Sequence, residues 1–335
     1  MGEKITIIEI AKLANVSPAT VSRVINSSAK VDGDKAKRVL EVIEKYDFKP
    51  NLIAKCLQSS ESNIVGFIVP HINSPYYAQI FYETEVIAQK MGYTLMLCNS
   101  ESEKRLESNI LDAFTSTNVR AIVFMGGRLD DKNCDEKYIC ELQNINQKIP
   151  VISCVEVPEL DCTQIYHQQE TSSDQLLAHL SNQGYRDVAL MGGCSHIRTT
   201  ITRRQDILLR AAQYGISIRS YIIDSDYSVQ GGNRAMKEML HSAKLPQAII
   251  CINDLVALGV LSEAYKNNLS VPKDIAIVGY DNLDISQFIY PGITTIASNY
   301  KQYAQAIVDA IHSPDHAGRK ITIPTDLIIR GSTQA

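Results

Sequence analysis

The sequence lacks tryptophan, closely paired cysteines and long apolar runs. Its eight cysteines occur singly, without a C-x-x-C pair or a histidine at metal-ligand spacing, which predicts buried, reduced thiols and argues against a disulfide framework or a zinc site. No segment approaches the roughly 20 apolar residues that a membrane span requires, and the first residues lack the apolar core of a signal peptide. We therefore expect a cytoplasmic protein without a membrane partner.

An excess of positive charge is also missing. The 335 residues carry 33 Lys and Arg against 37 Asp and Glu, a formal net charge of −4. The first 60 residues differ, because they hold 10 Lys and Arg against 7 Asp and Glu. This mildly basic head permits a polyanion as partner, whereas the acidic remainder is not expected to bind nucleic acid by itself.

Recognisable motifs of catalysis are missing as well. "MGG" occurs at 125–127 and 191–193, but neither copy belongs to a G-x-G-x-x-G or G-x-x-x-x-G-K-[ST] phosphate loop. The seven histidines are scattered, and neither a Ser–His–Asp set nor a metal cluster can be recognised. An enzyme on an α/β scaffold is thus the weaker alternative, and we expect no catalytic residue, no metal and no cofactor.

Three short helical patterns occupy the head of the chain. Thr6 and Glu9 form a capping box that begins the first. Ser17 is a favourable N-cap and Pro18 suits a first turn, which predicts a second helix from Pro18 to Ile25. "DGDKAKRVLEVIEKYDF" supplies the third. Three short helices with a tight turn between the first two match a helix-turn-helix unit, whose second helix enters the major groove of DNA.

The second helix has an unusual outer stripe. Its apolar face contains Val21, Val24 and Ile25, and the opposite stripe contains four residues: Ala19, Ser22, Arg23 and Asn26. A solvated helix of a small bundle, the simpler alternative, would usually carry Glu and Lys there. This small, hydroxylated surface could instead lie against another molecule and offer hydrogen bonds from Arg and Asn.

The pattern changes after Pro50. "NLIAKCLQSSESN" indicates a possible short helix followed by a polar linker, with a boundary near residue 62. Beyond it, apolar strands such as "NIVGFIVP", "RAIVFMGG" and "DIAIVGYD" alternate with helices, which predicts a doubly wound parallel α/β sheet. Such strands recur from residue 64 to residue 280, so two similar lobes with a cleft between them are expected.

Five segments resemble the LacI/GalR family of bacterial transcriptional repressors: "IAKLANVSPATVSRVIN", "YDFKPNLIAKCL", "GFIVPHINSPYYAQI", "NDLVALG" and "DIAIVGYDN". The resemblance implies an α/β fold with a two-lobed core like periplasmic binding proteins, built of doubly wound parallel sheets, and a small all-α headpiece. It implies a helix-turn-helix headpiece over residues 1–49, a hinge helix and linker over 50–61, and an effector-binding and dimerisation core over 62–335.

The resemblance also implies a DNA interface. Four residues match positions that touch phosphates: Ser17, Thr20, Ser22 and Asn26. Thr6 caps the first helix nearby, and Arg23 matches a position that reads bases. Pro18 and Ala19 stand where family members differ in operator preference, and their side chains can offer only apolar contact. Four residues match the hinge helix, whose leucine wedges between base pairs in the minor groove: Asn51, Ala54, Lys55 and Leu57.

An effector cleft is implied between the lobes. Six residues match its lining: Tyr76, Tyr77, Arg203, Tyr227, Asn253 and Asp281. Taken singly, a tyrosine pair is more often part of a core, and an aspartate after a strand is more often a helix cap. Three residues depart from the family pattern, namely Asp206 for Gly, Gln168 for Asp and Tyr185 for His.

The expected function is sequence-specific regulation of transcription. The resemblance implies a repressor that binds pseudo-palindromic operator DNA as a homodimer, under control of a small polyhydroxylated effector, a sugar or a sugar derivative. A sugar-binding module with a degenerate headpiece is the alternative, and the intact Arg23, Asn26 and Leu57 argue against it.

Overall fold

The computed structural model describes residues 5–26, 31–46, 48, 62–242, 244–313 and 318–334. The chain divides into two compact units, Met1–Ser60 and Glu61–Ala335. The domain boundaries expected after residues 49 and 61 fall at residues outside the described ranges, and they stay predictions.

The first unit contains three helices within its described residues, α1 (Ile7–Leu13), α2 (Pro18–Asn26) and α3 (Gly33–Lys45). The Thr6 hydroxyl accepts a hydrogen bond from the Glu9 N–H at 3.3 Å, and the Glu9 carboxylate accepts one from the Thr6 N–H at 2.7 Å, so the predicted capping box is confirmed. Asn15, with a φ of 53°, reverses the chain before α2. The second helix extends one residue beyond its predicted end.

A small apolar core holds these helices together. Its five buried residues are Ile10, Ala11, Ala14, Val21 and Val39. Val24 and Ile25 pack against this cluster, so the apolar face of α2 predicted from the sequence is turned inward. The opposite stripe of α2 is therefore turned away from the core.

The second unit alternates strands and helices. Its first half has these elements: β1 (Ile64–Val69), α4 (Pro75–Lys90), β2 (Thr94–Asn99), α5 (Lys104–Ser116), β3 (Ala121–Phe124), α6 (Glu136–Asn146), β4 (Val151–Ser153) and β5 (Thr163–Gln168). The second half has these: α7 (Glu170–Asn182), β6 (Asp187–Met191), α8 (Arg198–Ala211), β7 (Ser217–Ile223), α9 (Val229–Leu240), β8 (Ala248–Cys251), α10 (Asp254–Lys266), β9 (Ala276–Asp281), α11 (Asp284–Phe288) and β10 (Thr294–Ser298). Two further elements follow, α12 (Tyr300–His312) and β11 (Lys320–Ile328).

Strand order defines two similar lobes. In the first lobe the order is β2-β1-β3-β4-β5, and in the second it is β7-β6-β8-β9-β10. Counted from the first strand of each lobe, both follow the order 2-1-3-4-5 of one doubly wound pattern, with parallel neighbours throughout. The two-lobed α/β fold expected from the sequence is thereby confirmed.

Strand β11 joins the lobes. It pairs in parallel with β5 and antiparallel with β10, so the sheet is mostly but not wholly parallel. Helix α12 packs back on the first lobe, where Tyr303 and Ile307 join the buried cluster around Phe67. The two lobes are therefore joined at β11, which lies between β5 of the first lobe and β10 of the second.

Two further observations bear on the sequence predictions. Along the described residues, no helix is long and apolar enough to cross a membrane. The seven cysteines within these residues are all unpaired; Cys154, Cys162 and Cys251 are buried as expected, but Cys140 on α6 is exposed. For Cys140 the prediction of a buried thiol is wrong, because its position on α6 faces solvent.

Candidate functional site

The outer stripe of α2 is the first candidate surface. Pro18, Ala19 and Arg23 are exposed, and Ser22 is half-buried. Ser17 caps the helix by accepting a hydrogen bond from the Thr20 N–H at 3.2 Å, and the two hydroxyls lie 2.9 Å apart. The small and hydroxylated side chains thus share one exposed surface with a single arginine. The Asn26 side chain and the hinge residues Asn51, Ala54, Lys55 and Leu57 lie outside the described part of the chain.

Five of the six predicted effector residues lie at or beyond the carboxyl ends of strands from both lobes. Tyr76 and Tyr77 stand in the first turn of α4, the helix that follows β1. Tyr227 lies between β7 and α9, and Asn253 is the N-cap of α10. Asp281 is the last residue of β9, at the edge where open α/β sheets bind ligands. Arg203 lies within the second turn of α8.

A buried ion pair forms the floor of this cleft. Nη2 of Arg203 lies 3.5 Å from Oδ1 of Asp281, and Nη1 donates to the Ile252 carbonyl at 2.7 Å. The guanidinium also stacks on the Tyr280 ring, 4.7 Å from its centroid. Burial alone would lower the pKa of Arg203, but Asp281 and Tyr280 raise it above its usual value, so the side chain stays charged. Burial raises the pKa of Asp281, and the Arg203 charge opposes that shift.

Tyr227 and Asn253 are tied to each other and to α8. The Tyr227 hydroxyl lies 2.6 Å from Oγ1 of Thr200, and the Asn253 amide donates to the Tyr227 carbonyl at 3.0 Å. Oδ1 of Asn253 accepts from the Val256 N–H at 2.8 Å. Asn253 is therefore a helix cap, as the simpler alternative holds, and it also fixes the loop that carries Tyr227.

The two tyrosines of the first lobe form an aromatic wall. Their rings meet edge to face with centroids 5.2 Å apart, and Tyr300 lies 6.0 Å from Tyr76. Burial raises the pKa of Tyr76, and the charges of Asp281 and Arg203 act on it with opposite signs. The tyrosine pair of the first lobe thus lies within electrostatic reach of the ion pair of the second.

Sequence reasoning missed three residues of this cleft. His167, near the end of β5, lies with Nε2 3.1 Å from the Tyr76 hydroxyl. Its pKa falls to about 3, because burial and the Arg203 charge both disfavour the protonated ring. Tyr300 donates to the Asp281 carbonyl at 2.9 Å. The carboxylate of Asp130, in the first lobe, accepts a hydrogen bond from the N–H of Thr199 in the second. Burial raises the pKa of Asp130, and the hydrogen bonds from Thr199 oppose that shift.

The three departures from the family pattern include Asp206, which lies about one turn from Arg203 on α8. Asp206 accepts from Arg210 at 2.8 Å, so the acidic partner of Arg203 is Asp281. Gln168 is exposed at the end of β5, and Tyr185 donates to the Thr333 carbonyl at 3.5 Å. Within the described ranges, no group of three or more His, Cys, Asp or Glu is placed to hold a metal ion.

Comparison with known proteins gives consistent results. Residues 6–51 match the family "Bacterial regulatory proteins, lacI family", and residues 177–333 match a periplasmic binding protein-like domain. The chain is 32% identical to the HTH-type transcriptional repressor PurR of Glaesserella parasuis over 320 residues, covering 91% of this chain and 88% of that protein. It is 30% identical to Catabolite control protein A of Priestia megaterium, covering 87% of each chain.

A solved structure shares the fold over nearly its whole length. The Lac repressor dimer bound to operator and the anti-inducer ONPF is 22% identical, with a TM-score of 0.88, and the match covers 99% of this chain and 100% of that one. Since identity is low, this likeness concerns the fold alone.

Proposed function

The chain belongs to the lacI family of bacterial regulatory proteins, and we propose that this DNA-binding transcriptional regulator is a cytoplasmic repressor controlled by a polyhydroxylated ligand. It binds a pseudo-palindromic operator as a homodimer through α2, and the ligand binds in the cleft between the two lobes of its ligand-binding domain. Two observations support this assignment: residues 6–51 match the lacI family, and the six predicted effector residues lie around one cleft.

Direct reading of DNA by α2 is supported by its exposed surface. Ala19 and Pro18 have no side-chain donor or acceptor, so they offer only van der Waals contact, for example with a thymine methyl group. Arg23 is exposed on the same helix and can donate two parallel hydrogen bonds to a guanine. Ser17, Thr20 and Ser22 supply short hydroxyls suited to phosphates.

The Arg203–Asp281 pair beneath the aromatic wall is the observation that carries the proposed ligand site. A polyhydroxylated molecule needs several hydrogen-bonding groups in fixed directions and apolar faces for its C–H groups, and a pocket of this kind is mostly apolar with a few placed polar groups. Tyr76, Tyr77 and Tyr227 supply the faces, and Arg203 and Asp281 supply a fixed donor and acceptor. Sugars, sugar alcohols and nucleosides all share this chemistry.

Control of DNA binding follows from a difference in ligand affinity between two states of the core. A ligand shifts an equilibrium only by that difference. The proposed hinge segment 50–61 is short, and an isolated helix of about eight residues is marginal in water because nucleation is costly. A ligand that changes the separation of two hinge attachment points in the homodimer would therefore change operator affinity.

Self-association is supported by exposed apolar side chains on the second lobe. Phe288 and Tyr290 are 78% and 90% exposed, and the Tyr265 hydroxyl donates to the Tyr290 carbonyl at 3.2 Å. Clustered exposed aromatic residues are typical of protein interfaces. Light scattering should give a dimer for the wild type and a monomer for Phe288→Ser with Tyr290→Ser. An unchanged dimer in that double variant would contradict this assignment of the interface.

Operator binding is tested by gel shifts with DNA fragments from around the protein's own gene at two salt concentrations, because phosphate contacts make affinity salt-dependent.

A thermal-shift screen against neutral sugars, sugar alcohols and nucleosides then identifies ligands, since a ligand of the folded state raises the melting temperature. A ligand found in this way should change operator affinity in the wild type but not in Arg203→Met. Equal binding of operator and random DNA, or a chain that no such compound stabilises, would refute the proposal.

A further inference from the structure

Asp130 is held across the cleft by the start of α8. It follows a short 3₁₀ turn, Gly127–Leu129, in the first lobe. Its carboxylate accepts hydrogen bonds from the N–H and the hydroxyl of Thr199 at 2.8 and 2.9 Å. Its carbonyl accepts from the Arg198 N–H at 2.6 Å. The first two N–H groups of α8, in the second lobe, are thus both bonded to one residue of the first lobe.

Helix α8 has no cap of its own. Its N-cap position is Ile197, whose side chain cannot accept a hydrogen bond. Free N–H groups and the helix dipole make such a terminus attractive to phosphate and carboxylate groups. Here an aspartate of the protein already accepts hydrogen bonds from the first two of these N–H groups. The part of the cleft best suited to bind an anion is therefore occupied by a fixed negative charge.

The arginines around the cleft are also neutralised. Arg203 faces Asp281, and Arg198 lies 3.2 Å from Glu159. Arg204, the neighbour of Arg203 on α8, lies 2.7 Å from Asp224, and the Asp130 carboxylate also interacts with the Arg203 charge. Each of these three guanidinium groups already has a carboxylate partner, so an anion entering here would compete with a carboxylate for every one of them.

A buried ion pair packs against the 3₁₀ turn that precedes Asp130. The Arg128 N–H donates to the Glu107 carboxylate at 3.2 Å, and the Arg128 side chain reaches Glu107 at 3.3 Å and Glu141 at 2.8 Å. Arg128 and Glu107 are both fully buried. At Gly127, with a φ of +60°, an added Cβ would lie 2.1 Å from Oε1 of Glu107, so the turn packs directly on this pair. The turn that presents Asp130 is rigidly supported.

We propose that Asp130 is a specificity-determining residue that excludes anionic effectors, so that the ligand of this cleft is an uncharged or cationic molecule and not a sugar phosphate or a sugar acid. The inference rests on the proposed function in that it concerns the same cleft. A phosphate would have to displace Asp130 from α8 or lie beside it, and like charges at such distances repel strongly where water is excluded.

The experiment uses inorganic phosphate and glucose 6-phosphate as probes, so it needs no identified effector. Calorimetric titration at constant ionic strength compares the full-length wild type with Asp130→Ala, which removes the charge and frees the α8 N–H groups. Asp130→Asn removes the charge but can keep one hydrogen bond to Thr199. We expect no phosphate binding in the wild type, and a gain in phosphate affinity of about tenfold or more in Asp130→Ala, with Asp130→Asn between them.

Asp131→Ala is the matched control. It removes the same charge from the neighbouring residue, whose carboxylate pairs with Lys104 at 3.0 Å. It should behave as the wild type does towards phosphate. Saturable phosphate binding by the wild type that Arg203→Met abolishes would overturn the inference, as would folded Asp130→Ala and Asp130→Asn variants without any gain.

If one of these variants fails to fold, the other retains the test. A comparison within the wild type needs no variant at all, since a neutral ligand found by thermal shift should lose at least tenfold in affinity when phosphorylated. Failure of the proposed function has a different signature. A chain that responds to no polyhydroxylated ligand, yet gains phosphate affinity on Asp130→Ala, would contradict the proposed effector and support the role of Asp130.

Discussion

Arg203 and Asp281 form an ion pair between α8 and the end of β9, with exposed fractions of only 9% and 5%. Asp281 has a φ of +95°, a conformation that is uncommon for residues other than glycine. A residue held in such a conformation at the end of a strand indicates that the surrounding structure fixes it. The pair is therefore both a structural element of the second lobe and the proposed polar floor of the effector site.

These two roles give separable effects on mutation. Arg203→Met should lower the free energy of unfolding by about 3–5 kcal/mol, because Asp281 is then left buried without its partner. Urea unfolding of the full chain measures this loss. The same variant should lose the ligand response, while its operator affinity without ligand stays at the wild-type value.

The double variant Arg203→Met with Asp281→Asn tests whether the pair is the cause. Removing both charges leaves no uncompensated ion, so it should be more stable than Arg203→Met alone. Asparagine tolerates the positive φ of position 281. Arg210→Met, on the same helix but paired with Asp206 and Asp174, should keep the ligand response. Additive losses in the double variant would contradict the assigned coupling.

The alternation of apolar strands and helices was predictable from sequence, but strands β10 and β11, which lie beyond residue 280, were not. In β10, Thr294 and Thr295 are fully buried. Their hydroxyls bond to the Thr333 hydroxyl and to Asp254, respectively, so a buried strand contains polar residues that an apolar pattern does not reveal. In β11, Pro324 interrupts the pattern. Both strands lie at the junction of the lobes, where pairing is set by distant segments and not by local periodicity.

The residues of the cleft likewise include some that the sequence predicts and some that it does not. Residues at or soon after the ends of predicted strands, such as Asp281 and Tyr76, could be assigned from their positions and from the family resemblance. Asp130 could not, because "RLDDKN" resembles any polar surface loop and its partner Thr199 is 69 residues away. One signal was available. Ile197 is a poor N-cap, and a helix start without its own cap indicates that another segment supplies one.

Discrimination of the operator should depend on Arg23. Arg23→Ala is expected to reduce the preference for operator over random DNA by about 1–3 kcal/mol, the contribution of one bidentate base contact. Fluorescence anisotropy with both duplexes measures the ratio. Arg38→Ala removes the same charge from an exposed position of α3 and should leave that ratio unchanged. A wild-type ratio in Arg23→Ala would rule out base reading by this residue.

Stability of α1 should depend on the Thr6 hydroxyl. Thr6→Ala removes the hydrogen-bond acceptor of the Glu9 N–H, which costs about 1 kcal/mol for a typical N-cap. Amides of residues 7–13 in the DNA-free protein should then exchange about fivefold faster by hydrogen-exchange mass spectrometry. Thr6→Ser keeps a capping hydroxyl and should exchange at nearly the wild-type rate. Equal exchange in the two variants would show that the cap contributes little.

Acid stability should depend on His167. Its pKa is lowered to about 3 in the folded protein by burial and by the Arg203 charge, against about 6.5 in an unfolded chain. Between these two values the unfolded chain binds a proton that the native protein does not. Stability is therefore fully present above pH 6.5 and decreases as the pH falls, by roughly 4 kcal/mol at pH 3 from this residue alone.

The variant His167→Gln cannot take up that proton, yet its side chain can still hydrogen-bond the Tyr76 hydroxyl. Urea unfolding at intervals from pH 7 to pH 4 should give a shallower loss of stability for this variant than for the wild type. At pH 7 the variant is expected to be less stable, because glutamine packs less well than an imidazole against the Tyr303 ring, 4.9 Å away. The two stability curves should therefore converge as the pH falls. Parallel curves would mean that His167 is already protonated in the folded protein or remains accessible to water, and either result would contradict a neutral, buried imidazole in the cleft.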